Sequence, residues 1–255
     1  MEIIKEKINS RNGEIAIAVH KPEKQSDKLL ILCPGFLDSK DYRHLVVLAE
    51  DLCSQGYTAV RFDPIGTWES EYNDNEKYTI TQYLEDVRTV LEYMLEKYSY
   101  KKIVIGGHSR GGRISILYAA RDPRVSLVLA IMPSYGNFEG EERIQWEKSG
   151  IKISKRDALD GGELKEFKLP FAHVLDMDKY DVIADTEKVK IPIIFVAGEL
   201  DDLVTPRDVM DIFDNAGELK TFVLVPGVGH NYRRNEDEIK IMNGKIIEAM
   251  NLIEK

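Results

Sequence analysis

Residues 107–111 read Gly-His-Ser-Arg-Gly and contain a serine that could act as a nucleophile. The segment fits the pattern G-x-S-x-G, and it lies between an apolar run typical of a strand and a pattern typical of a helix. Such a sharp reversal strains the central residue, so the small neighbours Gly107 and Gly111 avoid clashes. The helix that follows offers unpaired amides that favour developing negative charge. The sequence therefore predicts Ser109 as the nucleophile of an acyl transfer.

A serine hydroxyl needs a base whose pKa is close to neutrality, and histidine meets that need. Of the five histidines, His230 follows an apolar strand in the loop 226–230, Pro-Gly-Val-Gly-His. Loops at the carboxyl ends of parallel strands share one edge of the sheet, so we predict His230 as the base. His108 is expected to pack near the turn, and His20 and His44 to be surface or hydrogen-bonded structural residues. His173 falls in an inserted segment.

A carboxylate must orient the histidine and stabilise it once it is protonated. Residues 198–204, Gly-Glu-Leu-Asp-Asp-Leu-Val, follow a late apolar strand and supply three acids. Asp201, Asp202 and Glu199 all remain candidates on the residues alone, because a solvated acidic turn before a helix would have the same composition.

Apolar runs and amphipathic runs alternate along the chain, which predicts strands alternating with helices. Predicted strands are 14–20, 29–33, 57–62, 102–106, 125–131, 191–197 and 219–225; predicted helices are 41–55, 79–98, 111–120, 207–216 and 236–253. The strand 14–20 is expected at an exposed edge. This order specifies an α/β fold with a doubly wound, mainly parallel sheet. We predict one domain over 1–255, with a cap inserted at 133–185 where the alternation breaks.

Composition excludes several classes of function. The formal net charge of -9 argues against a nucleic-acid partner. The basic residues at 152–156 are expected to be solvated surface. No segment is apolar and long enough to span a membrane, and the N-terminus lacks the pattern of a signal peptide, so a cytoplasmic location is expected. Cys33 and Cys53 have no neighbouring ligands at metal-binding spacing, and both are expected to be free thiols.

These residues and their order resemble the alpha/beta-hydrolase family, in particular its small capped esterases and serine-peptidase-like hydrolases. The resemblance runs from the first predicted strand to the final helix. The order Ser109, Asp201, His230 is the order of the family's catalytic residues. In relatives the acid often stands in a turn similar to residues 198–204, and the histidine in one similar to 229–230. The resemblance thus implies Asp201 as the acid.

Residues 33–36, Cys-Pro-Gly-Phe, are similar to the family's His-Gly-Phe loop, which helps to bind the oxyanion. The resemblance implies that the backbone amides of Phe36 and Arg110 form the oxyanion hole. Two departures stand out: Cys-Pro where a histidine is common, and residues 63–70, which are less rich in glycine than in relatives. Trp68, within that second segment, could line an entrance or pack internally.

The resemblance implies a two-step hydrolysis through an acyl-enzyme, with no metal or organic cofactor. A small or medium carboxylic ester is the expected substrate; thioester, acylglycerol and aminopeptidase-like substrates remain alternatives, as does a non-catalytic binding protein on the same scaffold. The oligomeric state is left open. The cap supplies apolar surface for an apolar acyl or alcohol group through Tyr135, Phe138, Trp146, Phe167, Phe171 and Leu175.

Overall fold

The computed structural model describes residues 1–70, 74–159 and 161–253. Its strands are β1 Glu2–Ser10, β2 Gly13–Lys21, β3 Lys28–Cys33, β4 Thr58–Phe62, β5 Lys102–His108, β6 Leu127–Ile131, β7 Ile151–Arg156, β8 Lys165–Pro170, β9 Ile193–Gly198 and β10 Lys220–Val225. Its α-helices are α1 Arg43–Ser54, α2 Ile80–Lys97, α3 Arg110–Ala119, α4 Gly140–Ser149, α5 Ala172–Met177, α6 Val182–Thr186, α7 Pro206–Asp214 and α8 Glu236–Ile253. Short 3-10 turns occur at Asn75–Lys77 and Tyr232–Arg234.

Eight of the described strands form one sheet in the order β1-β2-β4-β3-β5-β6-β9-β10. The strands from β4 to β10 in this order are parallel, whereas β1 and β2 run antiparallel to their neighbours. The arrangement confirms the α/β fold with a mainly parallel sheet that the alternation predicts. The strand at the edge is β1 rather than β2, which contradicts the expectation of an exposed edge at 14–20. A two-residue turn after Ser10 joins the two strands, since Ser10 pairs with Gly13.

Helices cover both faces of the sheet because consecutive side chains of a strand point to opposite faces. In β3, Leu29 and Ile31 pack in a core with α2, α3 and α7. Leu30 and Leu32 pack in a second core with α1 and α8. Two layers of helices thus hold the central strands, and the loops at their carboxyl ends, in a fixed position.

The segment predicted to be a cap contains α4, β7, β8, α5 and most of α6, between β6 and β9 of the main sheet. Strands β7 and β8 pair with each other as a separate two-stranded antiparallel sheet. The break in alternation along the sequence therefore corresponds to elements outside the main sheet. In the described parts of the chain, no helix combines the length and the apolar character that crossing a membrane requires.

A buried ion pair ties together the loops that follow β3 and β4. Lys40 Nζ lies 3.0 Å from Asp63 Oδ2, and the two side chains are 1% and 0% exposed. Asp63 also accepts a hydrogen bond from the backbone amide of Lys40 at 2.7 Å. Since an unpaired charge at such a depth is strongly disfavoured, Asp63 requires the Lys40 ammonium, which also pairs with Asp41 and Glu69. The contact fixes the loop that carries Phe36.

Candidate active site

The turn at Ser109 is strained in the way that its sequence predicts. Ser109 joins β5 to α3 with φ 54° and ψ -115°, a conformation that non-glycine residues rarely adopt. A Cβ at Gly107 would lie 2.3 Å from the carbonyl oxygen of Cys33, and one at Gly111 would lie 1.9 Å from the same atom. Only glycine fits at either position without moving the backbone of β3. The turn therefore holds the Ser109 hydroxyl at the carboxyl edge of the sheet.

A continuous chain of hydrogen bonds links the serine to a histidine and an aspartate from two other loops. His230 Nε2 lies 3.1 Å from Ser109 Oγ, and His230 Nδ1 lies 2.7 Å from Asp201 Oδ2. Because an ionised carboxylate can only accept, Nδ1 carries the proton and Nε2 is free to accept one from the serine hydroxyl. All three residues are buried, with His230 6% and Asp201 4% exposed.

The aspartate is held by its own loop. Asp201 Oδ1 accepts from the amides of Leu203 at 2.9 Å and Val204 at 2.8 Å, which leaves Oδ2 for the histidine. Asp202 is exposed, and Glu199 accepts instead from the amide of Gly227. Of the three acids that the sequence leaves open, the structure brings Asp201 to the histidine.

The loop that carries Phe36 is fixed through its carbonyl groups. The Tyr83 hydroxyl donates to Pro34 O at 2.8 Å, and the Trp68 indole donates to Leu37 O at 2.9 Å. Arg156 Nε donates to Phe36 O at 3.0 Å. Trp68 is thus a packed residue, 5% exposed, rather than part of an entrance. Tyr83 thus holds the backbone at Pro34, the residue that stands where a histidine is common.

Two amides near Ser109 have no internal acceptor. The Phe36 amide and the Arg110 amide, the latter in the first turn of α3, donate to no group within residues 1–70, 74–159 and 161–253. Amides at a helix N-terminus lack an intrahelical partner and bind anionic oxygen well. Both amides are therefore available to an oxygen bound beside the serine.

Comparisons with known proteins support the fold. A family model described as "alpha/beta hydrolase fold" matches residues 28–149, which include the turn at Ser109. The crystal structure of Est1E from Butyrivibrio proteoclasticus with bound ferulic acid superposes with a TM-score of 0.78 at 21% identity, covering 98% of this chain and 100% of that one. The chain has the alpha/beta-hydrolase fold.

Two curated proteins are similar to this chain in sequence. The polyketide transferase grgF of Penicillium sp is 22% identical over 244 residues, covering 82% of this chain and 83% of that protein. Lysophospholipase L2 of Escherichia coli (strain K12) is 25% identical over 158 residues, covering 57% of this chain and 45% of that protein.

A pocket of about 650 Å³ opens beside Ser109. It is less apolar than the sequence predicts. Phe36, Tyr135, Phe138 and Met177 supply apolar surface, but its lining also includes Arg110, Lys152, Arg156, Glu142 and Asp208. Trp146 and Phe167 are buried away from solvent and pack the cap instead.

The basic stretch on β7 contributes to this pocket. Lys152, Ser154 and Arg156 alternate along the strand and share the face that lines it, whereas Lys155 is exposed on the other face. The expectation that 152–156 is merely solvated surface is therefore wrong for two of its three basic residues, Lys152 and Arg156. Strand periodicity, counted from Lys152, would have revealed the shared face.

Two further histidines lie directly behind the base. The ring of His108 is 4.7 Å from that of His230 and 5.2 Å from that of His44. Burial lowers the pKa of His44 to about 3 and that of His108 well below its ordinary value, so both rings are neutral at neutral pH. Among the described residues, neither ring has a hydrogen-bond partner. His108 packs near the turn as predicted, whereas His44 is neither exposed nor hydrogen-bonded.

Together with a nearby carboxylate, these rings form a set of atoms that could hold a metal. Asp38, His44 and His108 are buried, and their ligand atoms lie within 4.8 Å of one another. Two imidazoles and one carboxylate suit a borderline cation such as Zn²⁺. Cys33 and Cys53 are buried free thiols, as predicted, and they belong to no such cluster in the described chain.

Proposed function

We propose that this protein is a serine hydrolase that cleaves a small or medium carboxylic ester through an acyl-enzyme on Ser109. The observation that carries the proposal is the unbroken hydrogen-bonded chain from Ser109 through His230 to Asp201. A neutral imidazole that accepts from a serine hydroxyl, and whose other nitrogen is fixed by a carboxylate, is the arrangement that activates serine in acyl transfer.

The reaction proceeds in two halves. His230 takes the proton of Ser109 while Oγ attacks the ester carbonyl, and the tetrahedral oxyanion accepts hydrogen bonds from the amides of Phe36 and Arg110. His230 then gives the proton to the departing alcohol as the ester C–O bond breaks. Water attacks the acyl-enzyme in the same way, which releases the acid and restores the serine. Asp201 stabilises the imidazolium in both halves.

Residues 133–185 act as a cap over the site in this proposal. Support comes from the pocket itself, in which Tyr135, Phe138 and Lys152 of that segment face Phe36 of the main domain. A pocket lined by residues of both the cap segment and the main domain would enclose the ester and limit the access of bulk water.

A second candidate is transfer of the acyl group to an acceptor other than water. It is favoured by the similarity to a protein named as a polyketide transferase, which extends over 82% of this chain. The chemistry of the first half is unchanged, and only the second nucleophile differs. Adding a primary alcohol to the assay would divert the acyl group into a new ester if transfer competes with hydrolysis.

The proposal is tested by kinetics on a panel of p-nitrophenyl esters, aryl thioesters and aminoacyl anilides, with wild type and Ser109→Ala. We expect hydrolysis of the oxygen esters with the highest kcat/KM, and its loss in the variant. Activity that survives Ser109→Ala would refute the nucleophile. A higher kcat/KM on thioesters or anilides would replace the proposed substrate class by one of the alternatives.

A further inference from the structure

The side chain of Arg110, next to the nucleophile, is a buried cation at the wall of the pocket. Arg110 is 5% exposed, and its guanidinium lies over the ring of Phe36 at 4.8 Å from the centroid. Its Nη1 lies 3.2 Å from His173 Nε2, and its Nε has no hydrogen-bond partner in the described chain. A guanidinium in such a place loses hydration that these contacts only partly replace.

The group that holds Arg110 carries no negative charge. His173 Nδ1 lies 2.7 Å from the carbonyl oxygen of Tyr78, and a carbonyl can only accept, so Nδ1 carries the proton. His173 Nε2 therefore accepts from Arg110. Burial lowers the pKa of His173 to about 3, so the ring stays neutral near pH 7. Across residues 1–70, 74–159 and 161–253, no carboxylate lies within 4 Å of the Arg110 guanidinium.

The carboxylates that do line the pocket have other partners. Glu142 forms an ion pair with Lys152. Asp208 accepts from the amide and the hydroxyl of Thr205, at 2.8 Å and 2.7 Å, and so caps α7. Arg156 adds a further cation to the same wall, and its Nε lies 3.9 Å from Asp38 Oδ1. Arg110 is therefore the cation of this pocket that no carboxylate of the described residues pairs.

We propose that this pocket binds substrates that bear a carboxylate, and that the Arg110 guanidinium is the group that binds it. The inference rests on the proposed function, and it specifies the substrate class as esters with a free carboxylate, such as half-esters of dicarboxylic acids. A planar guanidinium can donate two parallel hydrogen bonds to a carboxylate. The anion would neutralise Arg110 and accept from Nε, which has no partner in the described chain, while Phe36 and His173 keep the guanidinium in place.

The test compares charged esters with neutral esters of similar size. In the first pair the charge is on the acyl side: p-nitrophenyl hydrogen glutarate is compared with the neutral p-nitrophenyl pentanoate. In the second pair the charge is on the alcohol side: 4-acetoxybenzoate is compared with the neutral methyl 4-acetoxybenzoate. For at least one pair, we expect wild type to show the higher kcat/KM on the charged ester. The charged-to-neutral ratio should fall about 10- to 100-fold in Arg110→Met, the size of effect typical of a hydrogen bond to a charged group.

Two further variants interpret the ratio. Arg110→Lys keeps the positive charge but cannot donate two parallel hydrogen bonds from one planar group, and it should retain part of the preference for the charged ester. Lys155→Met removes a cation from the exposed face of the same cap strand as Lys152, where Lys155 pairs with Glu166, and it should leave the ratio unchanged. A ratio that is the same in wild type and Arg110→Met for both pairs would overturn the inference, as would an equal fall in Lys155→Met.

Calorimetry in the Ser109→Ala background separates this inference from the proposed reaction. Ser109→Ala should bind p-nitrophenyl hydrogen glutarate or 4-acetoxybenzoate, and Ser109→Ala with Arg110→Met should bind the same ester at least 10-fold more weakly. That result, without turnover by wild type, would support the anion site while refuting ester hydrolysis. Turnover of esters with no effect of Arg110→Met on binding would refute the anion site and leave the proposed function intact.

Discussion

Replacing Asp201 with asparagine should inactivate the enzyme by reversing the tautomer of His230. In the structure, Asp201 Oδ1 accepts from the amides of Leu203 and Val204, and Oδ2 accepts from His230 Nδ1. If the asparagine oxygen keeps the two amides, its NH₂ group must face Nδ1. His230 can then be accommodated only with its proton on Nε2, where it no longer accepts from Ser109.

The opposite orientation of the amide is the less stable one. It would place the NH₂ group against two backbone donors and leave both unpaired, at a cost of about 1–3 kcal/mol for each buried donor. The orientation that inactivates the histidine is thus favoured by about 2–6 kcal/mol. Loss of the correct tautomer in a serine–histidine–aspartate system lowers kcat by about 10⁴-fold, and we expect a fall of that size in Asp201→Asn.

The assay is steady-state hydrolysis of a p-nitrophenyl ester from pH 5 to 9, with thermal unfolding to show that each variant is folded. Asp202→Asn is the matched control, because Asp202 is the exposed neighbour of the same residue type. It should keep kcat within about twofold of wild type, as surface substitutions usually have small effects. More than a tenth of the wild-type activity in Asp201→Asn would refute this role of Asp201, as would an equal loss of activity in Asp202→Asn.

Three further predictions concern stability, each measured by urea unfolding. Gly111→Ala should prevent folding or destabilise the protein by several kcal/mol, since its Cβ would lie 1.9 Å from the Cys33 carbonyl oxygen. Lys40→Met should cost about 3–5 kcal/mol because it leaves Asp63 buried without its partner. The pKa of His44, lowered by burial to about 3, favours the neutral ring in the folded protein, so stability is lost as pH falls below about 6.5. His44→Phe should reduce that slope by about 1.4 kcal/mol per pH unit between pH 4 and 6.

Each stability prediction has a contrary result. Wild-type stability in Gly111→Ala would mean that β3 and α3 are less closely packed than the structure has them. A loss below 1 kcal/mol in Lys40→Met would mean that Asp63 is solvated or protonated without difficulty. An unchanged pH slope in His44→Phe would mean that His44 titrates normally in the folded protein.

The sequence predicts those parts of the site that depend on local backbone geometry. The turn at Ser109 requires glycine on both sides, so the sequence motif alone predicts its position between a strand and a helix. The loop positions of Asp201 and His230 follow from chain order, because the carboxyl ends of parallel strands meet at one edge. Helix bounds differ from the expected ones by only one or two residues, as is usual where ends fray.

Other features depend on contacts between distant segments. Asp201 and Asp202 differ in burial rather than in type, so the residues alone give no choice between them. The sequence pattern does not predict β1, because the apolar residues of this strand do not alternate clearly. Asn12-Gly13 is nevertheless a strong signal for the turn that joins β1 to β2. The sequence does not predict the cationic side of the pocket, because the motif around Ser109 gives Arg110 only a backbone role. Its neutral partner His173 lies 63 residues further along the chain.

In the proposed reaction, Ser109 is the residue that forms the acyl-enzyme. Intact mass spectrometry after reaction with a fluorophosphonate probe, followed by peptide mapping, tests this directly. We predict one adduct per chain, mapped to Ser109. The adduct should be abolished in Ser109→Ala and retained in Ser134→Ala, which removes another serine of the same pocket. An adduct that persists in Ser109→Ala, or the absence of any adduct on folded wild type, would contradict it.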